Sequence, residues 1–316
     1  MYLSYSGYKK ADACLYAYWH VYVNHTPYGK LDDRLGSIYG IVVGTLFEQF
    51  YNEKLWRTPG VQQEMESRVE ALVDKTLAEE VKPKKGRSGG VIMWQGRGEG
   101  QNPKALYCDR EELIRDVTYA IGVGLKTIKY EKLIGKDVVA ELKLDSLIKG
   151  HLLGGRADLV LTKVETQDRL IVDGKGSNRR DKYVDPGQLK WYSFLHRARF
   201  GSLPDKTAFL YWKYESPMNM DWFMFTEAEV DDFLFKVLKT IGTIESGMSS
   251  MKDREDIPET LSKPLTEKSM PIVREIFKPS ATTKNCMFCP YATEIICPEG
   301  FVKREAHERK LAERDT

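Results

Sequence analysis

The feature that most constrains this chain is a change of hydrophobic period in its middle third, with acids set inside the new pattern. Up to about Tyr130 apolar residues recur every three or four positions. From Ala140 they alternate with polar ones, as in Ala140-Glu-Leu-Lys-Leu-Asp145. Alternation with a period of two marks a half-buried strand. Two more strands are expected at His151–Thr162 and Arg169–Lys175. Each carries an aspartate where a strand disfavours one: Asp158 interrupts the apolar run around Leu159-Val-Leu, and Asp173 ends Leu170-Ile-Val. An unpaired carboxylate among apolar neighbours is costly. Lys175 follows Asp173 by two residues, so both side chains leave the strand on one face. Two carboxylates on neighbouring strands beside an ammonium suit a hard divalent cation such as Mg²⁺, which takes oxygen ligands and keeps several waters. Such a cation polarises a phosphoryl oxygen and makes a bound water nucleophilic. Lys175 would orient that water or offset transition-state charge, because service as a base needs a large drop in its pKa. The same residues also read as strand ends entering turns, Asp173-Gly being a turn dipeptide, and an Asp-x-Lys triplet alone does not separate the two readings.

The flanks place this segment in an α/β fold. Helical spacing covers Tyr8–Val23, Asp33–Leu55, Gln62–Glu80 and Lys104–Tyr130. Beyond Lys175, Asp185 as a cap, Pro186 in the first turn and Gln188 as a capping-box partner mark a helix start. Strands are expected at Lys206–Tyr214 and Trp222–Phe225. The pattern Thr226-x-x-Glu229 then opens a helix to about Ile241, and a solvated helix lies beyond Gly300. This order implies one mixed β-sheet flanked by helices.

Bulk charge says little. The chain of 316 residues has 48 Lys and Arg against 46 Asp and Glu, a net of +2, so an anionic partner must be met by local patches. Val81–Gly98 holds Lys82, Lys84, Lys85, Arg87 and Arg97 with no acid, and Arg179, Arg180 and Lys182 follow Lys175 closely. The string Gly96-Arg-Gly-Glu-Gly100 lacks a preceding strand, a helix start and a Gly-Lys-Ser/Thr, which excludes a nucleotide-binding loop. The apolar run Ile41–Phe47 falls far short of the roughly 20 residues of a membrane span. The first ten residues lack the charged start and apolar core of a secretory signal. A cytoplasmic location with no membrane partner is therefore expected. Five cysteines, an odd number, point to metal binding before disulfides. Cys286-Met-Phe-Cys289-Pro and Cys297-Pro cluster near one end and Cys14 lies near the other, with zinc the general expectation for a Cys-x-x-Cys pair.

The segments Gly155-Arg-Ala-Asp158, Ile171-Val-Asp173-Gly-Lys175-Gly-Ser177 and Gln188-Leu-Lys-Trp-Tyr192 resemble the PD-(D/E)XK nuclease superfamily, specifically its RecB-like branch. The resemblance implies a restriction-endonuclease-like core with a mixed central sheet. Asp158, Asp173 and the carbonyl of Gly174 would then bind Mg²⁺ or Mn²⁺, and Lys175 would assist the attacking water. Gln188 and Tyr192, four apart on one helix face, would lie beside the site. The family commonly adds a histidine ligand from an upstream helix. The matching segment here is Gly44-Thr-Leu-Phe-Glu48, where Glu48 replaces nitrogen by oxygen, as Mg²⁺ prefers. A solvated helix residue is the other reading of Glu48, and His151 reads as strand-edge packing.

Cys14, Cys286, Cys289 and Cys297 resemble the ligands of the iron–sulfur members of that branch, which include AddB-type helicase-nucleases and CRISPR-associated adaptation exonucleases. That likeness implies a 4Fe–4S cluster clasping residues 1–30 to 280–316, with zinc as the fallback and Cys108 as the replacement should Cys14 not bind. The organisation it implies is one nuclease domain over 1–316, with a helical insertion carrying the basic loop over 61–130. Lys84, Lys85, Arg87, Arg179, Arg180 and Lys182 are the expected phosphate contacts. Eight tyrosines in the first 39 residues either stack on unpaired bases or pack around the clasp. The activity implied is a metal-dependent deoxyribonuclease, an exonuclease trimming single-stranded or end-processed DNA in recombination, repair, or CRISPR-type or viral DNA processing. The alternatives are a DNA endonuclease and a catalytically silent DNA-binding subunit. With no helicase motif in the chain, a helicase, recombination or CRISPR partner would be a separate polypeptide.

Overall fold

The structure is a computed structural model that describes residues 1–26, 35–82, 90–95, 107–176, 180–183, 185–216, 218–252, 269–286 and 289–312. Two compact units divide the chain. The larger comprises Met1–Tyr2, Asp32–Lys82 and Gly89–Leu234; the smaller comprises Leu3–Leu31, Pro83–Ser88 and Phe235–Thr316.

Among the described residues of the larger unit four α-helices precede the sheet: α1 (Leu35–Asn52), α2 (Val61–Ser67), α3 (Val69–Glu80) and α4 (Arg110–Tyr130). Helix α1 buries Leu35, Ile38, Tyr39, Val42, Val43, Leu46, Phe47 and Phe50, the three- and four-residue spacing of an apolar stripe. Asp109 caps α4 by accepting from the Glu112 amide at 2.9 Å. The helix expected over Gln62–Glu80 is broken at Arg68, whose guanidinium reaches Glu64 at 2.7 Å and Glu53 at 2.9 Å.

The sheet has five strands in chain order: β1 (Gly135–Lys143), β2 (Arg156–Lys163), β3 (Arg169–Lys175), β4 (Lys206–Tyr211) and β5 (Met220–Phe223). All neighbours are antiparallel except β3 and β4. A parallel pair needs a crossover, and α5 (Gly187–Phe200) supplies it. Leu159, Leu161, Leu170, Val172, Ala208 and Leu210 join the α1–α4 core. Ile171 and Asp173 alternate to the other face, which α5 covers. The result is the expected mixed sheet between helices.

The strand expected over His151–Thr162 is interrupted at Gly155. Residues Ser146–Ile148 and His151–Gly154 form a separate short hairpin between β1 and β2. Helix α6 (Glu227–Lys252) opens with the anticipated capping box, Thr226 N–H donating to Glu229 at 2.9 Å and Glu229 N–H to the Thr226 hydroxyl at 3.3 Å. It continues well past Ile241, because Ile244 and Met251 keep its buried period.

The smaller unit breaks the helix expected over Tyr8–Val23 at Cys14, which is extended. Tyr5–Ala13 and Leu15–Tyr18 are α-helical, and Trp19–Val23 forms a π-turn. Tyr16, Trp19, Met251, Val273, Phe277 and Cys297 make its core. Segments far apart in sequence are tied by Tyr16 donating to the Ile296 carbonyl (3.0 Å), Tyr291 to that of Thr26 (3.1 Å) and Asn285 to that of Ala13 (2.8 Å). No helix among the described residues is long and apolar enough to cross a membrane.

One contact tests this packing. A Cβ on Gly124 of α4 would stand 2.1 Å from the ring of Phe47, which itself stacks on Trp212 at 4.5 Å. Alanine favours a helix over glycine by about 1 kcal/mol, whereas overpacking a core typically costs about 1–3 kcal/mol. Gly124→Ala is expected to lower the urea midpoint of unfolding; a raised midpoint would show that the ring moves freely.

Candidate active site

The site grows out of the β2–β3 register. Leu159 pairs with Val172 at the end of the ladder, so Asp158 and Asp173 stand on adjacent strands just beyond it, near enough that the charge of Asp173 acts on Asp158. The Gly174 N–H donates to Asp158 Oδ2 at 2.7 Å. Only glycine fits at 174, because a Cβ there would meet the Trp212 indole at 2.7–3.0 Å. Asp173 is 3% exposed and in direct contact with the Lys175 ammonium.

Lys175 Nζ donates to Gln188 Oε1 at 2.8 Å, and Gln188 Nε2 reaches Asp173 Oδ1 at 3.1 Å and the Tyr192 hydroxyl at 3.0 Å. Tyr192 in turn donates to the Arg156 carbonyl at 2.8 Å. The amide of Gln188 is therefore oriented, with oxygen to the ammonium and nitrogen to the carboxylate. This overturns its expected part in a capping box. Helix α5 begins after Pro186 with no side-chain cap, and Gln188 serves the site.

A cavity of about 420 Å³ opens beside these strands, lined by Glu48, Glu141, Arg156, Asp158 and Gly174 with Phe47 and Trp212 among its apolar walls. Asp173 and Lys175 are not part of the lining and meet it at Gly174, the residue between them. Burial, and then the charge of Asp173, holds Asp158 well above the usual carboxylate range; the Gly174 N–H opposes the shift. Burial followed by the Glu48 charge raises Glu141, opposed by Arg156, whose Nη1 lies 3.5 Å away. The Tyr192 phenol is pushed up by burial and by both aspartates. The site thus carries an excess of negative charge, which a divalent cation would relieve. In the arrangement seen, no three His, Cys, Asp or Glu side chains among the described residues converge closely enough to hold an ion. Asp158 is engaged by Gly174 and Asp173 by Lys175 and Gln188. The donor set is nonetheless that of a hard cation, all oxygen and short of positive charge.

Sequence reasoning missed Glu141 and Arg156. Glu141 has φ +54°, a left-handed backbone inside β1 that L-residues adopt at a cost of order 1–3 kcal/mol and that tends to mark functional sites. By period it is simply the polar phase of an alternating strand, so nothing in the sequence singled it out. Of the expected phosphate contacts, Lys84, Lys85, Arg87 and Arg179 lie outside the described residues, as does the Lys182 side chain. Arg180 is committed elsewhere: it is paired with Asp221, donates to the Met218 carbonyl, and lies 4.8 and 5.3 Å from the Tyr211 and Tyr214 ring centroids. His151 pairs with Ile148 in the short hairpin.

Cys14, Cys286, Cys289 and Cys297 all belong to the smaller unit and form no disulfide. A Cβ on Gly300 would stand 3.1 Å from the Cys297 sulfur and 3.3 Å from that of Cys286, so the two thiols share one cradle. Burial raises Cys286, Cys289 and Cys297, the last to about 11, and Cys14 adds to each shift. Cys108 belongs to the larger unit, where its thiol meets Gln95 at 3.1 Å.

Comparison with known proteins matches residues 2–298 to the family model described as the PD-(D/E)XK nuclease superfamily. Seven chains of solved structure also match. One, titled "Crystal structure of SSO0001", is 16% identical over 59% of this chain and 75% of that chain, with a TM-score of 0.26. No curated protein matches.

The raised Asp158 carboxyl has a measurable consequence. Between the ordinary carboxylate pKa and its raised value, the folded chain holds a proton that the unfolded chain has lost, so stability falls as pH rises through that window. Asp158→Asn removes the penalty and is expected to raise Tm by a few degrees in chelator at pH 8, with the gain vanishing near pH 4. An unchanged or lower Tm at pH 8 would contradict it.

Proposed function

The chain belongs to the PD-(D/E)XK nuclease superfamily, and on that footing we propose that it is a metal-dependent deoxyribonuclease, an exonuclease that trims single-stranded or end-processed DNA. The observation that carries this reading is the pair Asp158 and Asp173 on adjacent strands, with Lys175 bound to the second, and with Glu48 and Glu141 lining the cavity that Asp158 and Gly174 border. Asp158, Asp173 and the Gly174 carbonyl would hold Mg²⁺ or Mn²⁺, joined by Glu48. When bound, the cation supplies Lewis acidity and an activated water.

The chain's own residues supply the rest. Lys175 brings a fixed positive charge beside the reacting phosphate and offsets the charge that develops in the transition state. Gln188 holds that ammonium and the Asp173 carboxylate in register, and Tyr192 anchors Gln188 to the β2 backbone. These two are positioning residues. Arg156, on the cavity wall, meets a substrate phosphate.

In the smaller unit, Cys14, Cys286, Cys289 and Cys297 would hold a 4Fe–4S cluster in a structural role, as in the RecB-like iron–sulfur branch. The shared cradle of Cys286 and Cys297 supports this.

End-labelled single-stranded and duplex DNA, incubated with Mg²⁺, Mn²⁺ or chelator, tests the activity. Cleavage is expected only with metal, and Asp173→Asn should reduce it at least about 100-fold with the fold retained; Lys175→Ala, which leaves Asp173 buried without its cation, should lose activity to the same degree and lower the Tm as well. Full activity in either variant excludes this site. Separately, anaerobically purified protein should be brown and contain iron and sulfide; colourless protein with stoichiometric zinc would replace the cluster by zinc.

A further inference from the structure

We propose that the hairpin between β1 and β2, with Tyr2 laid across it, is a stacking platform for the unpaired bases of a single-stranded DNA segment whose backbone passes Arg156 into the cavity. The proposal deepens the nuclease reading of the adjacent site and rests on it. Ser146–Ile148 and His151–Gly154 are joined by Lys149 (φ +48°) and Gly150 (φ +84°), the two left-handed residues of a tight hairpin turn. Leu147 and Leu152 are direct cross-strand partners and so share a face. Gly154, two residues past Leu152, shares that face as well. A Cβ there would collide with the Asp145 carboxylate, 2.3 Å away, and with Tyr2, whose Cε2 and hydroxyl oxygen lie 2.6 and 2.7 Å from its position, so the missing side chain is what lets both groups lie on the strand.

Leu153, between them, is fully buried on the opposite side. The outward face therefore presents a continuous stripe of Tyr2, Leu152 and Leu147, which are 52%, 41% and 73% exposed. Exposed apolar residues grouped in this way on a short hairpin mark a contact surface.

Charge identifies the occupant. The Tyr2 hydroxyl lies in the field of Asp145 first and then of Lys143 and Arg156, and Lys149 is exposed at the hairpin tip. Lys143 is partly offset by Asp145 at 2.6 Å, but Arg156, with its side chain 63% exposed, belongs to both the platform and the cavity wall. An aromatic ring and two leucines beside cations match a nucleic-acid single strand, whose bases offer π-faces and whose phosphates meet the cations. Duplex bases are already stacked on one another, so the platform selects unpaired ones. A stripe of three side chains is also small for a stable protein interface.

Fluorescence anisotropy in chelator, which prevents cleavage, provides the test. A fluorescein-labelled oligothymidylate and a blunt duplex are titrated with wild type, Tyr2→Phe, Tyr2→Ala and Leu147→Ser. Tyr2→Ala and Leu147→Ser should each weaken oligothymidylate binding roughly 5- to 100-fold, Tyr2→Phe should retain it, and duplex binding should change less than about twofold. Leu147 is exposed enough for serine to leave the core intact, so its result stands if Tyr2→Ala folds poorly. Unchanged oligothymidylate binding in Leu147→Ser, an equal loss on duplex, or no binding by the wild type overturns the platform. Wild-type protein that binds oligothymidylate through these residues yet cleaves nothing with Mg²⁺ or Mn²⁺ would instead sink the nuclease reading.

Discussion

Asp173 can be buried in this molecule because its own strand brings the neutralising charge. A carboxylate 3% exposed carries a large desolvation cost unless it is paired and hydrogen-bonded. Lys175, two residues on and on the same face, provides the pairing, and Gln188 bonds both members. The remaining arrangement follows from that pair. Helix α5 must place Gln188 over the end of β3, Tyr192 must lock Gln188 to β2, and Gly174 must lack a side chain so that its N–H can reach Asp158 beneath the Trp212 indole.

The two halves of the site are balanced differently. Around Asp173 every acid has a cation or an amide. Around the cavity, Asp158 has one backbone N–H and Glu141 a partly exposed arginine, while Glu48 adds a further negative charge. Structural stability alone would favour removing one of those acids, and sites that retain such repulsion commonly trade stability for function. Glu141 adds backbone strain to the same account, since its left-handed φ aims a carboxylate where a regular strand would not.

Much of this was readable from residue types and period. The α/β order follows from the switch from helical spacing to alternation. Asp158, Asp173 and Lys175 stand out because acids inside apolar strand patterns need a reason. What escaped did so for physical causes. Gln188 obeys a local capping rule on paper, but its amide has stronger partners across the sheet. The charge of Arg180 is visible in the sequence, yet its partner Asp221 is 41 residues away. Glu141 depends on a backbone torsion that no side-chain pattern encodes, and the break at Gly155 depends on a hairpin whose turn is Lys149-Gly150. Three cysteines cluster in sequence, and in the smaller unit Cys286 and Cys297 flank Gly300, but no three of the cysteines converge on one ion among the described residues.

The central claim is that Asp158 and Asp173 grip a cation together, and direct titration of that cation tests it without reference to DNA. Calorimetric titration of Mn²⁺ into metal-free protein should show saturable binding for the wild type, sharply weakened by Asp158→Asn and by Asp173→Asn, with the cation displacing more protons at lower pH, where more of the raised Asp158 carboxyl is protonated before binding. Binding of equal strength in all three proteins would place the cation elsewhere and contradict the account.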